Sequence, residues 1–173
     1  MKTNIIYQPI GIIRTPFKEI TGMPIQSCAA TGTEGKIELE PEFAAGLFDL
    51  EGFSHIILLY HFHLVKGYKL YVVPFMDDKP HGIYATRAPT RPNPIGLSIV
   101  ELKRIEGSVI YIDGVDMVDG TPLLDIKPFF GKIDNRENVT RGWLDTVSEQ
   151  NVTKIKSDGR FYSNKSPKLN RCE

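Results

Sequence analysis

Ile95-Gly96-Leu97-Ser98-Ile99-Val100-Glu101-Leu102-Lys103-Arg104-Ile105 and Ser108-Val109-Ile110-Tyr111-Ile112-Asp113-Gly114-Val115 are parted only by Glu106-Gly107. Both runs are rich in β-branched residues, and a two-residue link carrying glycine is a hairpin signal. An antiparallel pair in the middle of the chain is the expectation, and the flanking sequence extends it. Residues 10–13 are β-branched and bounded by Pro9 and Pro16, and residues 35–39 alternate polar with apolar as a half-buried strand does. Residues 53–65 form a long apolar and aromatic run that reads as a strand rather than a helix, and residues 68–75, 82–86 and 123–126 read as further strands. Helical signals are few: residues 41–47, opening on Pro41, and residues 135–145. With fifteen glycines and twelve prolines as punctuation, the pattern predicts a mainly β fold. The expected architecture is a small antiparallel β-barrel with short helices and a C-terminal extension, because closure removes exposed sheet edges. The expected division is a barrel domain over 1–147 and a basic extension over 148–173.

A chain of 173 residues with 41% hydrophobic and 24% charged residues has the size and composition of one soluble domain. No apolar run reaches membrane-spanning length, and the N-terminus lacks the pattern of a secretory signal, so no membrane and a cytoplasmic location are expected. Cys28 and Cys172 are too few for a disulfide scaffold or a zinc site and read as reduced thiols. Lysine plus arginine equal aspartate plus glutamate at 21 each, which excludes a protein held on nucleic acid by bulk charge alone. The charge is nevertheless uneven. Residues 34–51 are acidic, and the final stretch carries Lys154, Lys156, Arg160, Lys165, Lys168 and Arg171. That stretch is either a cationic contact surface or a solvated tail.

Residues 85–98 are the most informative chemically. Pro89, Pro92 and Pro94 stiffen the segment and remove backbone donors, while Arg87 and Arg91 place two guanidinium groups on it. A stiff loop positions cations with little loss of entropy, and the planar guanidinium matches carboxylates and phosphates. The alternative is a tight barrel corner whose arginines bond backbone carbonyls. In residues 116–128, Asp119-Gly120 is either an ordinary turn or a place of close approach to a ligand, with Asp119 or Asp125 as acceptors. The early loop 21–26 compels no functional reading. On one strand His55, His61 and His63 would share a face; a hydrogen-bonded pair on the barrel wall is favoured over a metal site, so no metal is expected. Glycine-rich dinucleotide fingerprints, phosphate loops and nucleophile elbows are absent.

The order Gly11-Ile-Ile-Arg14-Thr-Pro16-Phe17, Gly52-Phe53-Ser54-His55, Ala85-Thr86-Arg87, Arg91-Pro92-Asn93-Pro94-Ile95-Gly96, Asp119-Gly120-Thr121-Pro122 and Asp125-Ile126-Lys127-Pro128 resembles the TsaA-like (TrmO) family over roughly residues 10–144. The resemblance implies a small, commonly homodimeric β-barrel that binds S-adenosylmethionine outside the Rossmann class. It implies a tRNA methyltransferase acting on N6 of the threonylcarbamoyl-modified adenosine beside the anticodon, with the anticodon arm of tRNA as partner. Cofactor contacts carried over by motif are Pro24, Ile25, Gln26, His63, Leu64, Arg87, Leu97, Asp119, Gly120, Thr121 and Pro122. Arg91 is expected to orient an anionic substrate group. Asp125 is expected to serve in catalysis, with His63 as the other candidate base. The competing reading is a non-catalytic barrel that binds an adenosyl ligand or RNA.

Overall fold

The computed structural model describes residues 4–147 and 154–162. Among the described residues are eight strands: β1 (Gly11–Arg14), β2 (Glu34–Leu39), β3 (His55–His61), β4 (Tyr71–Val72), β5 (His81–Gly82), β6 (Ile95–Glu106), β7 (Val109–Asp113) and β8 (Thr121–Pro128). Six of them close an antiparallel barrel in the order β1-β2-β7-β6-β3-β8, and β4 and β5 pair separately. The mainly β barrel expected from the sequence is therefore the fold.

Alternation builds its interior. On β3, Ile56, Leu58 and Tyr60 point inward and pair with Val100, Ser98 and Gly96 of β6. Ile13, Ile37, Ile110, Ile112 and Leu123 complete a core with essentially no exposure. Each such aliphatic side chain contributes roughly 1.5–3 kcal/mol of hydrophobic stabilisation. The β6–β7 hairpin forms as expected, turning at Gly107 with φ +62°, a conformation that costs glycine nothing.

Several expected boundaries move. The run over 53–65 is strand only to His61, because the opposing chain offers Asn93 and Pro94 ahead of β6. Phe62 N donates to Pro94 O at 2.8 Å, and Pro94 has no N–H to return. His63 thus lies beyond the strand, and the shared face with His55 and His61 does not form. Residues 68–75 and 82–86 do not join the barrel. They belong to an excursion between β3 and β6 that holds the short β4–β5 pair and a 3₁₀ turn at Ile83–Ala85. Pro74 and Pro80 interrupt this stretch and keep its strands to two residues. The expected helix over 135–145 is instead one α-turn, α1 (Gly131–Asp134), and a 3₁₀ turn at Gly142–Thr146. Residues 41–47 do form a 3₁₀ helix, Pro41–Leu47.

A second, smaller core forms under the excursion from Val72, Ile83, Ala88 and Phe161, with Phe75 and Tyr162 packed against it. Phe161 comes from the described part of the C-terminal segment. Ser157 ties this segment to the early loop: Gly22 N donates to Ser157 O at 2.8 Å, Ser157 N to Met23 O at 2.9 Å, and Met23 N to Ser157 Oγ at 3.0 Å. Arg160 is held by Asp158 at 2.8 Å, donates to Pro74 O at 2.9 Å and covers the Phe75 ring. Of the six basic residues of the final stretch, Lys165, Lys168 and Arg171 lie outside the described residues, as does Cys172. Among the described residues, no helix is long and apolar enough to cross a membrane, and no three His, Cys, Asp or Glu side chains gather into a metal site.

Gly96 has a steric task. A Cβ built there would stand 2.2 Å from the Tyr60 ring, and Tyr60 is itself 4% exposed and enclosed by the barrel. Gly96→Ala is expected to force the ring from its seat and lower stability by roughly 1–3 kcal/mol, the cost typical of core overpacking. Urea denaturation measures this; an unchanged midpoint would refute the seating.

Candidate active site

Between the barrel mouth, the early loop, the excursion and the C-terminal segment lies a cavity of about 350 Å³, within the size range of small-molecule sites. Tyr60, Gly96 and Asp116 line it from the barrel, Pro24, Ile25 and Gln26 from the early loop, and Arg87 and Arg91 from the proline-rich corner. Aromatic and thioether side chains (Phe62, Phe75, Tyr162, Met23) fill much of the wall. A smaller space of about 40 Å³ adjoins it, lined by His63, Leu64, Val118 and Thr121 and sharing Met23, Phe62, Asp116 and Tyr162 with the first.

The expected site residues divide accordingly. Pro24, Ile25, Gln26, Arg87, Arg91 and Leu97 line the main cavity, and His63, Leu64 and Thr121 line its neighbour. Asp119, Gly120, Pro122 and Asp125 line neither. Asp119 shapes the turn: its carboxylate accepts from Thr15 N at 3.0 Å and pairs with Lys18 at 2.8 Å. Gly120, at φ +80°, donates its N–H to Ile13 O at 2.9 Å, and Pro122 sits opposite Ile12 in the β1–β8 ladder. Asp125 stands on β8 with its carboxylate committed to Lys127 at 2.8 Å and to its neighbour's N–H.

The two arginines differ. Arg87 Nη1 donates to Gln26 Oε1 at 3.1 Å, joining the corner to the early loop across the cavity wall. Arg91 Nη1 donates to Ile83 O at 3.1 Å and Thr86 O at 2.9 Å. Arg91 therefore braces the corner, as the structural alternative foresaw, while also lining the cavity.

Sequence reading overlooked Asp116. Among the described residues it is the one carboxylate lining the main cavity. It accepts from Ser98 Oγ at 2.6 Å, and Ser98 Oγ is 3.0 Å from the Tyr60 hydroxyl. The two hydroxyls come from paired strands inside the barrel, so the carboxylate is held at the end of a rigid chain. Burial raises its pKa to about 6, partly opposed by the Ser98 bond and the Arg87 charge. Burial also pushes Tyr60 well above the ordinary phenol value, keeping it neutral. Burial, with His61 adding, lowers the His63 imidazole, so that side chain is neutral near pH 7. The signal for Asp116 was a single acid between Val115 and Met117, both buried, where an uncompensated carboxylate is costly.

A closed antiparallel barrel with a mixed-charge cavity at its mouth is a ligand-binding barrel that owes nothing to a doubly wound sheet. The chain belongs to the tRNA-methyltransferase O N-terminal domain family, which matches residues 12–135. A probable S-adenosyl-L-methionine-binding protein of Pyrococcus abyssi is 54% identical over 162 residues, covering 92% of this chain and 86% of that protein. The human tRNA (adenine(37)-N6)-methyltransferase is 34% identical over 184 residues, covering 98% of this chain but 41% of that protein. The crystal structure of TrmO from Pseudomonas aeruginosa superposes with a TM-score of 0.69 at 36% identity, over 82% of this chain and 63% of that one. The chain thus spans most of the archaeal relative and less than half of the human enzyme.

The raised pKa of Asp116 has a stability consequence. The folded state binds its proton more tightly than the unfolded state does, so stability falls as pH rises from about 4 to about 6. Asp116→Asn keeps an acceptor for Ser98 but cannot ionise. It is expected to flatten that slope and to be more stable than wild type at pH 7, by on the order of 1–3 kcal/mol. Parallel pH–stability curves for the two proteins would contradict this.

Proposed function

We propose that this protein is an S-adenosylmethionine-dependent tRNA methyltransferase acting on N6 of adenosine 37, in its threonylcarbamoyl-modified form. The carrying observation is the cavity itself, which places one carboxylate and two guanidinium groups in a chamber whose other walls are mainly apolar and aromatic. Its relatives named as tRNA (adenine(37)-N6)-methyltransferases support the substrate class. S-adenosylmethionine fits the donor set: an aromatic base for the apolar wall, a carboxylate for arginine, and cationic groups compatible with Asp116. Arg87 and Gln26 would hold its carboxylate, and Pro24, Ile25 and Leu97 would flank it.

The bound cofactor supplies an electrophilic methyl group on a sulfonium. The protein must align the acceptor nitrogen, exclude water and remove one proton. Alignment falls to the stiff corner, whose geometry Arg91 maintains while its remaining N–H groups meet the substrate's anionic group. Proton removal falls to Asp116 rather than Asp125. With a pKa of about 6 it is ionised at neutral pH and more basic than an exposed carboxylate, the condition a general base needs. The Tyr60–Ser98 chain keeps it oriented. The proton leaving the acceptor nitrogen passes to the carboxylate and from there to solvent.

Purified protein incubated with labelled cofactor and bulk tRNA is expected to deposit label on threonylcarbamoyladenosine, read by nucleoside mass spectrometry. Asp116→Asn should lower the turnover rate by roughly 10²- to 10⁴-fold. Arg87→Ala should weaken cofactor binding in calorimetry by roughly tenfold or more. No cofactor uptake by folded wild-type protein would sink the reading.

A cytoplasmic homodimer completes the proposal. Leu59 faces Leu97 and Ile57 faces Ile99 across the β3–β6 ladder on the outer face of the barrel, and Leu97 and Ile99 are exposed. Two opposed apolar pairs on a barrel exterior suit a second copy of the chain. Ile99→Lys is expected to convert dimer to monomer in sedimentation without unfolding the barrel; a wild-type monomer at micromolar concentration would exclude this interface.

A further inference from the structure

The chain's sole tryptophan, Trp143, lies beyond the residues matched by the family yet lines the main cavity. Its surroundings are unusual for an indole. It belongs to neither hydrophobic core and is only partly buried. One face is covered by the His81 imidazole, with ring centroids 4.4 Å apart and an interplanar angle of 21°. That imidazole is anchored in turn by the Asp77 carboxylate at 2.9 Å, whose pKa the bond pulls down to about 2. The indole N–H donates to Ala85 O at 2.8 Å. The ring is thus fixed by its edge and backed on one side by a second flat ring, while the residue lines the cavity.

A tryptophan that served only packing would be backed by aliphatic side chains. Here a chain from Asp77 through His81 fixes the plane of the ring beside the cavity instead. Neighbouring Tyr84 is 74% exposed, and Arg91 lies over its ring at 5.8 Å. A flat aromatic beside a guanidinium is the chemistry that holds an unpaired nucleobase and its backbone. The position selects which base. Trp143 bonds the Ala85 carbonyl on the same turn whose Ile83 and Thr86 carbonyls hold Arg91, the arginine assigned to the substrate's anionic group.

We propose that Trp143, backed by His81, is the stacking platform for a nucleobase of the RNA substrate extruded into the cavity, and not for the adenine of the cofactor. This rests on the RNA-methyltransferase reading above. Extruding the base removes it from its stack, and the indole restores part of that stacking.

The sole tryptophan is its own reporter. The probe is a fluorescently labelled anticodon stem-loop RNA with an unpaired threonylcarbamoyladenosine beside the anticodon, titrated onto wild-type protein saturated with S-adenosylhomocysteine. Indole emission should be quenched in parallel with RNA binding followed by anisotropy of the label. Trp143→Ala should weaken RNA binding by roughly ten- to hundredfold, the usual loss for one stacked base, with S-adenosylhomocysteine affinity unchanged in calorimetry. Trp143→Phe, which keeps a ring but cannot bond Ala85, should lose less. Quenching saturated by S-adenosylhomocysteine alone would assign the indole to the cofactor and overturn the proposal. RNA binding without any change in indole emission would overturn it while leaving the methyltransferase reading intact. Absence of RNA binding in the anisotropy channel would overturn both.

Discussion

The ring of Tyr60 lies against the backbone of Gly96, and its hydroxyl reaches Ser98 on the same strand. That contact joins the interior of the barrel to the cavity above it. Without a side chain at residue 96 the ring closes the end of the core; through Ser98 its hydroxyl holds the Asp116 carboxylate. A single arrangement therefore serves packing on one side and polar chemistry on the other. The cavity floor is as rigid as the sheet, because both hydroxyls stand on paired strands of a closed barrel.

Rigidity elsewhere around the cavity comes from cross-bracing between segments distant in sequence. The corner between the excursion and β6 has few backbone donors, so Arg91 supplies side-chain bonds to the carbonyls of Ile83 and Thr86. Arg87 links that corner to Gln26, and Ser157 stitches the early loop to the C-terminal segment. Phe161 enters the second core under the same excursion. The cavity walls are therefore held by four stretches of chain, none of which would keep its shape alone.

Asp116 illustrates the opposition between stability and chemistry. A carboxylate at the edge of a hydrophobic core is held in place at some cost to folding, because burial disfavours its ionised form. The same burial makes it a better proton acceptor. Local energetic conflict of this kind is characteristic of sites that act on ligands.

Strand alternation, glycine and proline punctuation and the order of short motifs were sufficient to determine a mainly β barrel and its family resemblance, since these depend on local geometry and side-chain period. The stiff proline-rich corner marked Arg87 and Arg91, and the family resemblance added residues 24–26 and Leu97; the structure gathers all of these around one cavity. Strand limits were less legible: β3 stops at His61 because Pro94 stands just ahead of β6 on the opposing chain, which no window on β3 itself contains. Asp125 and Asp119 drew attention as acids near a turn, but Lys127 and Lys18 occupy them. Asp116 carried only the faint mark of one acid between two apolar residues, and Trp143 carried no local signature. Their significance comes from Ser98, Tyr60, His81 and Asp77, partners brought to them only when the barrel closes and the excursion folds back over its mouth. Period and punctuation act within a few residues, whereas a binding cavity is made by contacts between residues far apart in the chain, and those exist only in the folded state.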